Sequence, residues 1–142
     1  MTGAGQVTTT TDLGRIDLDV VHRWLSTDAY WALGRSREAV EAAARHSLNV
    51  GALDAVGVLV GYARVVTDRA TFAWLCDVYV DPAARGQGVG KVLVDAVAEG
   101  VRSWDVTRVV LKTRDAHDLY ERVGFRAVTD PERWMVLEPR NS

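Results

Sequence analysis

The 142-residue chain carries one cysteine, Cys76, three histidines, His22, His46 and His117, and three prolines. A single cysteine excludes an intramolecular disulfide and any Cys-rich zinc or iron–sulfur centre. The histidines stand too far apart in sequence to show metal-ligand spacing, so no metal is expected. No apolar run approaches the ~20 residues that span a bilayer. The opening MTGAGQVTTTTDLG has neither the basic start nor the apolar stretch of a secretory signal. Neither sign of charge dominates: 17 Lys and Arg face 19 Asp and Glu, a net charge of -2. That balance gives no electrostatic footprint for nucleic acid or an anionic membrane. The expectation is a cytoplasmic protein with neither as partner.

What is present is an ordinary globular composition, 48% hydrophobic and 25% charged with five Trp, in one domain's length of chain. Residues 1–13 are polar, small and Thr-rich and read as a disordered tail; residues 14–142 read as one domain. Val20, Val21, Trp24 and Leu25 fall at helical spacing behind Asp17 and Asp19, either of which can cap. Ser36 can cap a second helix through Val40, Ala43 and Ala44 to about His46. Strands are expected over Leu48–Leu53, Val58–Val66 and Thr71–Val80, joined by short turns into an antiparallel meander.

After Asp81-Pro82 the period changes. Val89, Val92, Leu93, Ala96, Val97, Val101 and Trp104 mark an amphipathic helix. Arg108–Lys112 reads as a strand, Asp115–Val123 as a helix closed by Gly124 at its C-terminal end, and Phe125–Val128 with Trp134–Leu137 as a hairpin around Asp130-Pro131. The order ααβββαβαββ defines an α+β fold with a mixed, mostly antiparallel sheet.

The most informative segment is Arg85-Gly86-Gln87-Gly88-Val89-Gly90-Lys91, between a strand and a helix. Its glycines admit positive φ and close approach of a ligand, and a helix N-terminus favours an anion such as phosphate. A nucleotide P-loop would need glycine where Arg85 stands and Ser or Thr where Val92 stands. A dinucleotide fingerprint started at Gly86 puts its third glycine on Lys91; started at Gly88, on Leu93. Both fit poorly.

The residues do fit Arg-x-x-Gly-x-Gly, Arg85 to Gly90. Downstream, Ala116-His117-Asp118-Leu119-Tyr120-Glu121-Arg122-Val123-Gly124-Phe125 fits Ala-x-x-Leu-Tyr-x-x-x-Gly-Phe. In these two motifs, separated by a helix and a strand, the chain resembles the GCN5-related N-acetyltransferases, the GNAT family. The resemblance implies a GNAT-type sheet and transfer of the acetyl group of acetyl-CoA directly to a primary amine of a small molecule or protein. It implies that the backbone of Val78, Tyr79 and Val80 meets the pantetheine arm, and that Arg85, Gly86, Gln87, Gly88, Val89, Gly90 and Lys91 hold the pyrophosphate. Thr113 stands where the family often has Asn at a pantetheine amide, and Tyr120 falls on the general-acid tyrosine.

The base is less defined. Strand 71–80 has no Glu, and Trp74 stands where some members carry one. Asp77 is the only acid in it; burial among Leu75, Cys76 and Val78 would raise its pKa and suit it to base work. It serves equally well as a hydrogen-bonded structural acid or an anchor for a cationic substrate. Tyr30 and Trp31, in the segment that overhangs the acceptor site in this fold, join Trp74 and Asp77 as candidates for holding the amine, or pin that loop to the core. Cys76 reads as a small core residue. A homodimer is left open, and a catalytically weak CoA-binding regulator of the same fold is the alternative function.

Overall fold

Residues 6–140 are described by a computed structural model. The central hairpin follows from Asp54: its carboxylate accepts from the amides of Val56 and Val58, and Gly57 supplies φ +90°. β2 (Leu48–Leu53) and β3 (Leu59–Thr67) pair antiparallel on either side of that turn, and β3 pairs antiparallel with β4 (Ala73–Val80). At the second turn Asp68 accepts from the amides of Ala70, Thr71 and Phe72. β5 (Val109–Val110) joins β4 in parallel.

Two expectations change. Thr8–Thr10 is a strand, β1, antiparallel to β2, so that part of the tail belongs to the sheet. Its three threonines carry no apolar pattern, and backbone pairing to an otherwise open edge is what orders them. Residues 1–5 of the expected tail lie outside the described residues. The C-terminal hairpin does not form: residues 125–128 and 134–137 are irregular. Pro131–Arg133 makes a 3-10 turn, and Met135, Val136 and Leu137 beyond it stand 96%, 78% and 86% exposed. Trp134 lies against the Arg108 guanidinium rather than against residues 125–128.

Helices cover both faces of the sheet. α1 (Leu18–Asp28) is capped by Asp17, which accepts from the amides of Asp19 and Val20; Ser36 caps α2 (Arg37–Arg45) through Ala39. Val21, Trp24 and Leu25 of α1 and Val40 of α2 pack with Leu59, Tyr62 and Tyr79. On the opposite face α3 (Val89–Ser103) lays Leu93, Val94 and Val97 on Val50, Ala63, Val65 and Leu75. A Cβ at Gly61 would come within 2.9 Å of Leu93 and 3.0 Å of Val89, so glycine there sets how closely α3 approaches. α4 (His117–Glu121) follows β5.

β4 holds the feature that builds the site. Tyr62 faces Tyr79 and Arg64 faces Cys76, so Ala63 alone opposes both Asp77 and Val78. That is a β-bulge, and Asp77 takes it at φ +53°, a left-handed conformation that Asp tolerates better than most side chains. The alternation slips there. Ala73 and Leu75 face α3 before the bulge, and Val78 and Val80 pack toward that face after it, while Tyr79 joins the α1 side.

Candidate active site

Two breaks in regular pairing open the sheet. β5 meets β4 only at Ala73–Val109 and Trp74–Val110, so from Leu75 onward β4 has no strand partner on that side. The gap is a cleft of about 360 Å³. Leu75, Cys76, Asp77 and Val78 form one wall; Leu111, Lys112, Thr113, Ala116 and Tyr120 form the other, with Tyr30, Trp31 and Trp74 at its edge.

At the end of β4, Asp81 accepts from the Ala83 amide across the turn Pro82–Ala84. Gly86 and Gly88 then both take positive φ, +80° and +83°. Nothing lies within 4 Å of a Cβ built on Gly86, so conformation rather than crowding requires glycine there. Gly88 is the N-cap of α3 and brings no side chain to occupy the helix end. The first amide of α3 to bond back is that of Val92, to the Gly88 carbonyl at 3.1 Å. The amides of Val89, Gly90 and Lys91 have no partner within the helix and present an anion-binding end. Arg85 folds back: Nε donates to the Val80 carbonyl at 3.0 Å, and the guanidinium lies over the Tyr79 ring and reaches Asp28 at 3.3 Å.

Tyr120 is 8% exposed, edge-on to Phe125. Its hydroxyl makes no hydrogen bond among the described residues. Burial, with the nearby Tyr30 phenol, pushes its pKa up to about 12, so it keeps its proton across the neutral range. Thr113 lines the same cleft, but its oxygen accepts from the Ala116 amide at 3.0 Å, which gives it a local turn to hold. The Cys76 thiol is pushed up to about 11, chiefly by burial, and stays protonated and unreactive as a nucleophile.

Asp77 differs from the expectation of a raised pKa. Its side chain is 2% exposed, yet Arg35 and Arg64 each place a nitrogen 2.8 Å from Oδ2, and Trp31 Nε1 donates to Oδ1 at 2.8 Å. Desolvation acts upward, but the two guanidiniums outweigh it and hold the carboxyl below its ordinary value. Both oxygens are occupied, so Asp77 is a fixed anion that organises its neighbours.

On the α1 side of β4 a second, larger hollow of about 650 Å³ shares Trp31, Trp74, Cys76 and Asp77 with the cleft. Arg35, Arg64, Val66 and Phe72 complete most of it. The candidates named from sequence thus separate into two groups. Val78, Thr113, Tyr120, Tyr30, Trp31, Trp74 and Asp77 meet around one cleft. Arg85 to Lys91 lie beyond the end of β4, and the Gln87 side chain faces a different depression, beside Asp81 and Val58. Tyr79 turns its side chain to α1, where its hydroxyl donates to Asp28 at 2.5 Å, leaving only its backbone for a ligand.

Arg35, Arg64 and Phe72 were not singled out by sequence. Arg64 did carry a signal: a cation inside the apolar run Val60-Gly61-Tyr62-Ala63-Arg64-Val65-Val66 demands a buried counter-charge, and Asp77 lies on the next strand. Arg35 follows Gly34 in a loop and carried none.

The model of the acetyltransferase (GNAT) family matches residues 18–125. The crystal structure of a GNAT-family protein from Xanthomonas campestris pv. campestris superposes with a TM-score of 0.88 at 40% identity, covering 93% of this chain and 92% of that one. Over 75 residues, 52% of this chain, the sequence is 39% identical to GCN5-related N-acetyltransferase 2, chloroplastic, of Arabidopsis thaliana and 36% identical to histone acetyltransferase TAP1 of Glycine max. Those matches cover 28% and 32% of the two plant proteins, so the chain spans less than a third of either. With this fold, two cofactor motifs and a family match over most of its length, the chain belongs to the GNAT family.

Among the described residues no helix is long and apolar enough to cross a membrane, and no cluster of three or more His, Cys, Asp or Glu is placed to hold a metal.

Proposed function

We propose that the chain is an acetyl-CoA-dependent N-acetyltransferase acting on a primary amine, working in the cytoplasm without metal, nucleic acid or membrane. The observation that carries this reading is the cleft itself: unpaired β4 backbone along one wall, a phenol with a free hydroxyl on the other, and an anion-binding helix end beyond β4. These residues fit the cofactor. The amides of Val89 to Lys91 suit a pyrophosphate, the freed edge of Val78 to Val80 suits the pantetheine amides, and Tyr120 suits the sulfur.

Acetyl-CoA supplies an acyl group activated as a thioester. The amine nitrogen forms the new bond to the acyl carbon as the carbon–sulfur bond breaks. The amine gives up its proton to water, and Tyr120 donates its own to the departing sulfur and recovers one from solvent. A thiol of pKa near 8.5 and a phenol pushed to about 12 make Tyr120 a weak acid, so much of its effect is a hydrogen bond to developing negative charge on sulfur. Asp77 acts as a positioning residue: Trp31, Arg35 and Arg64 already donate to its two oxygens, and its depressed pKa makes it a poor proton acceptor.

The test is thermal. Acetyl-CoA at a hundred times its Kd stabilises by about 2.7 kcal/mol, several degrees in a domain of this size. We expect that shift, and amine-dependent release of free thiol in the same preparation. No shift at millimolar acetyl-CoA overturns the assignment. A shift without thiol release for any amine leaves the CoA-binding regulator in its place.

A further inference from the structure

The acceptor hollow carries the wrong charge for a simple cationic amine. Its inner wall holds two half-buried guanidiniums, Arg35 and Arg64, against one buried carboxylate, Asp77. The other acid of the hollow, Asp68, sits exposed at the rim with its oxygens turned onto the amides of Ala70, Thr71 and Phe72 and the Thr71 hydroxyl. Exposure to water screens that charge, whereas the two half-buried guanidiniums around the sealed Asp77 leave a surplus positive charge that is screened less.

The surplus has a direction. Arg64 is committed on two sides: Nε to Asp77 and Nη1 to the Ser47 hydroxyl at 3.1 Å. Arg35 spends only Nη1 on Asp77, and its Nε and Nη2 have no hydrogen-bond partner among the described residues. Its side chain is 24% exposed while Asp77 is sealed, so the free edge of the planar guanidinium is the accessible part of the cluster. Two adjacent donors on a rigid plane match a carboxylate. Around them Trp31, Trp74, Phe72 and Val66 expose 42%, 36%, 37% and 44% of their surface, an apolar lining for an uncharged body. The hollow adjoins the cleft across Trp31, Trp74, Cys76 and Asp77, and Tyr120 lines that cleft.

We infer that the acceptor is a small amine that also carries a carboxylate and an apolar or aromatic body, of the α-amino-acid type, with the carboxylate on Arg35 and the amine directed into the cleft. This rests on the acetyltransferase reading above and narrows its substrate. It reverses the sequence-based role of Asp77 as a cation anchor: that carboxylate is already answered twice over.

The experiment compares matched pairs that differ only in the carboxylate: L-phenylalanine with phenethylamine, and L-tryptophan with tryptamine. Spermidine and a lysine-rich peptide serve as cationic acceptors. Thiol release is followed in each case, with the acetyl-CoA thermal shift measured in parallel. The expected result is a kcat/KM tenfold or more higher for the carboxylate-bearing member of each pair, with both polycations poorer than either. In Arg35→Gln the ratio within each pair falls toward one, and Arg35→Lys, which keeps the charge and loses the fork, restores part of it. A retained acetyl-CoA shift in both variants shows that they are folded. An acetyl-CoA shift with no preference within the pairs, or with spermidine or the peptide as the best acceptor, overturns this inference and leaves the acetyltransferase reading intact. Absence of the shift in the wild-type protein overturns both.

Discussion

Trp31 Nε1 donates to Asp77 Oδ1 at 2.8 Å across 46 residues of sequence, fastening the segment between α1 and α2 to the bulge of β4. The indole thereby lines both the larger hollow and the cleft beside β4. Tyr30 beside it is edge-on to Trp31 and lies 3.9 Å under the Arg114 guanidinium, so the same segment also touches the far wall.

Replacing Tyr120 with Phe removes a hydroxyl that has no hydrogen-bond partner among the described residues. Stability should therefore change by less than about 0.5 kcal/mol, in the range of an inconsequential substitution. We expect kcat to fall by roughly a hundredfold, the lower end of general-acid effects, with acetyl-CoA affinity within about twofold. Because the phenol is pushed up to about 12, its neutral form persists, and kcat should show no loss from Tyr120 ionisation below pH ~10. Steady-state kinetics with a direct binding titration checks both statements; an unchanged kcat removes Tyr120 from the chemistry.

Asp77→Asn leaves Arg35 and Arg64 without their shared anion. Removing one member of a buried ion cluster costs on the order of 3–5 kcal/mol, a drop of the melting temperature by ten degrees or more. The pH dependence has a definite sign. Asp77 has a folded pKa below its unfolded value, so its stabilisation is complete above the unfolded carboxylate pKa of about 3.9 and is lost as pH falls toward the folded value. Wild type should lose stability more steeply than Asp77→Asn below pH ~4, measured by urea unfolding at fixed pH steps. Parallel slopes would exclude Asp77 from acid sensitivity.

Much of the site was legible because two of its parts are local. A glycine turn opening a helix, and a tyrosine five residues before Phe125, are written in consecutive residues and survive folding unchanged. The Asp77 cluster was not, because its character depends on partners 42 and 13 residues away in sequence, Arg35 and Arg64. Burial alone argued for a raised pKa; only the placement of two cations reverses it. The ends of the chain misled for an opposite reason. Thr8–Thr10 lacks an apolar pattern yet pairs by backbone, whereas Trp134–Leu137 has one and stays outside the sheet.

At the helix end, Gly88→Ala puts a Cβ on a residue at φ +83°. The left-handed conformation costs an alanine about 1–2 kcal/mol, and relief of that strain re-aims the amides that follow. KM for acetyl-CoA should rise by about tenfold while kcat falls less. The check is a pair of KM measurements, one varied in acetyl-CoA and one in the amine; an equal rise in both would point to general loosening of the fold.

Cys76, with its thiol pushed up to about 11, should resist iodoacetamide at pH 7.5 in the folded chain and react only on unfolding. Intact mass after incubation with acetyl-CoA should show no acetyl adduct. Cys76→Ala should retain turnover, which separates direct transfer from a route through an acyl-cysteine.

The extra residue in β4 has a consequence for how this sequence can change. Before Asp77 the odd-numbered positions feed the layer beneath α3; after it the even-numbered ones do. The strand therefore has two reading frames joined at one residue. Deleting Asp77 would fuse them into one, pairing Ala63 with Val78 alone and leaving Tyr79 opposite Tyr62 on the α1 side, but it would remove the carboxylate on which Trp31, Arg35 and Arg64 converge. Lineages that keep the activity should tolerate exchanges of residue type on either side of that junction far more readily than a change in its length.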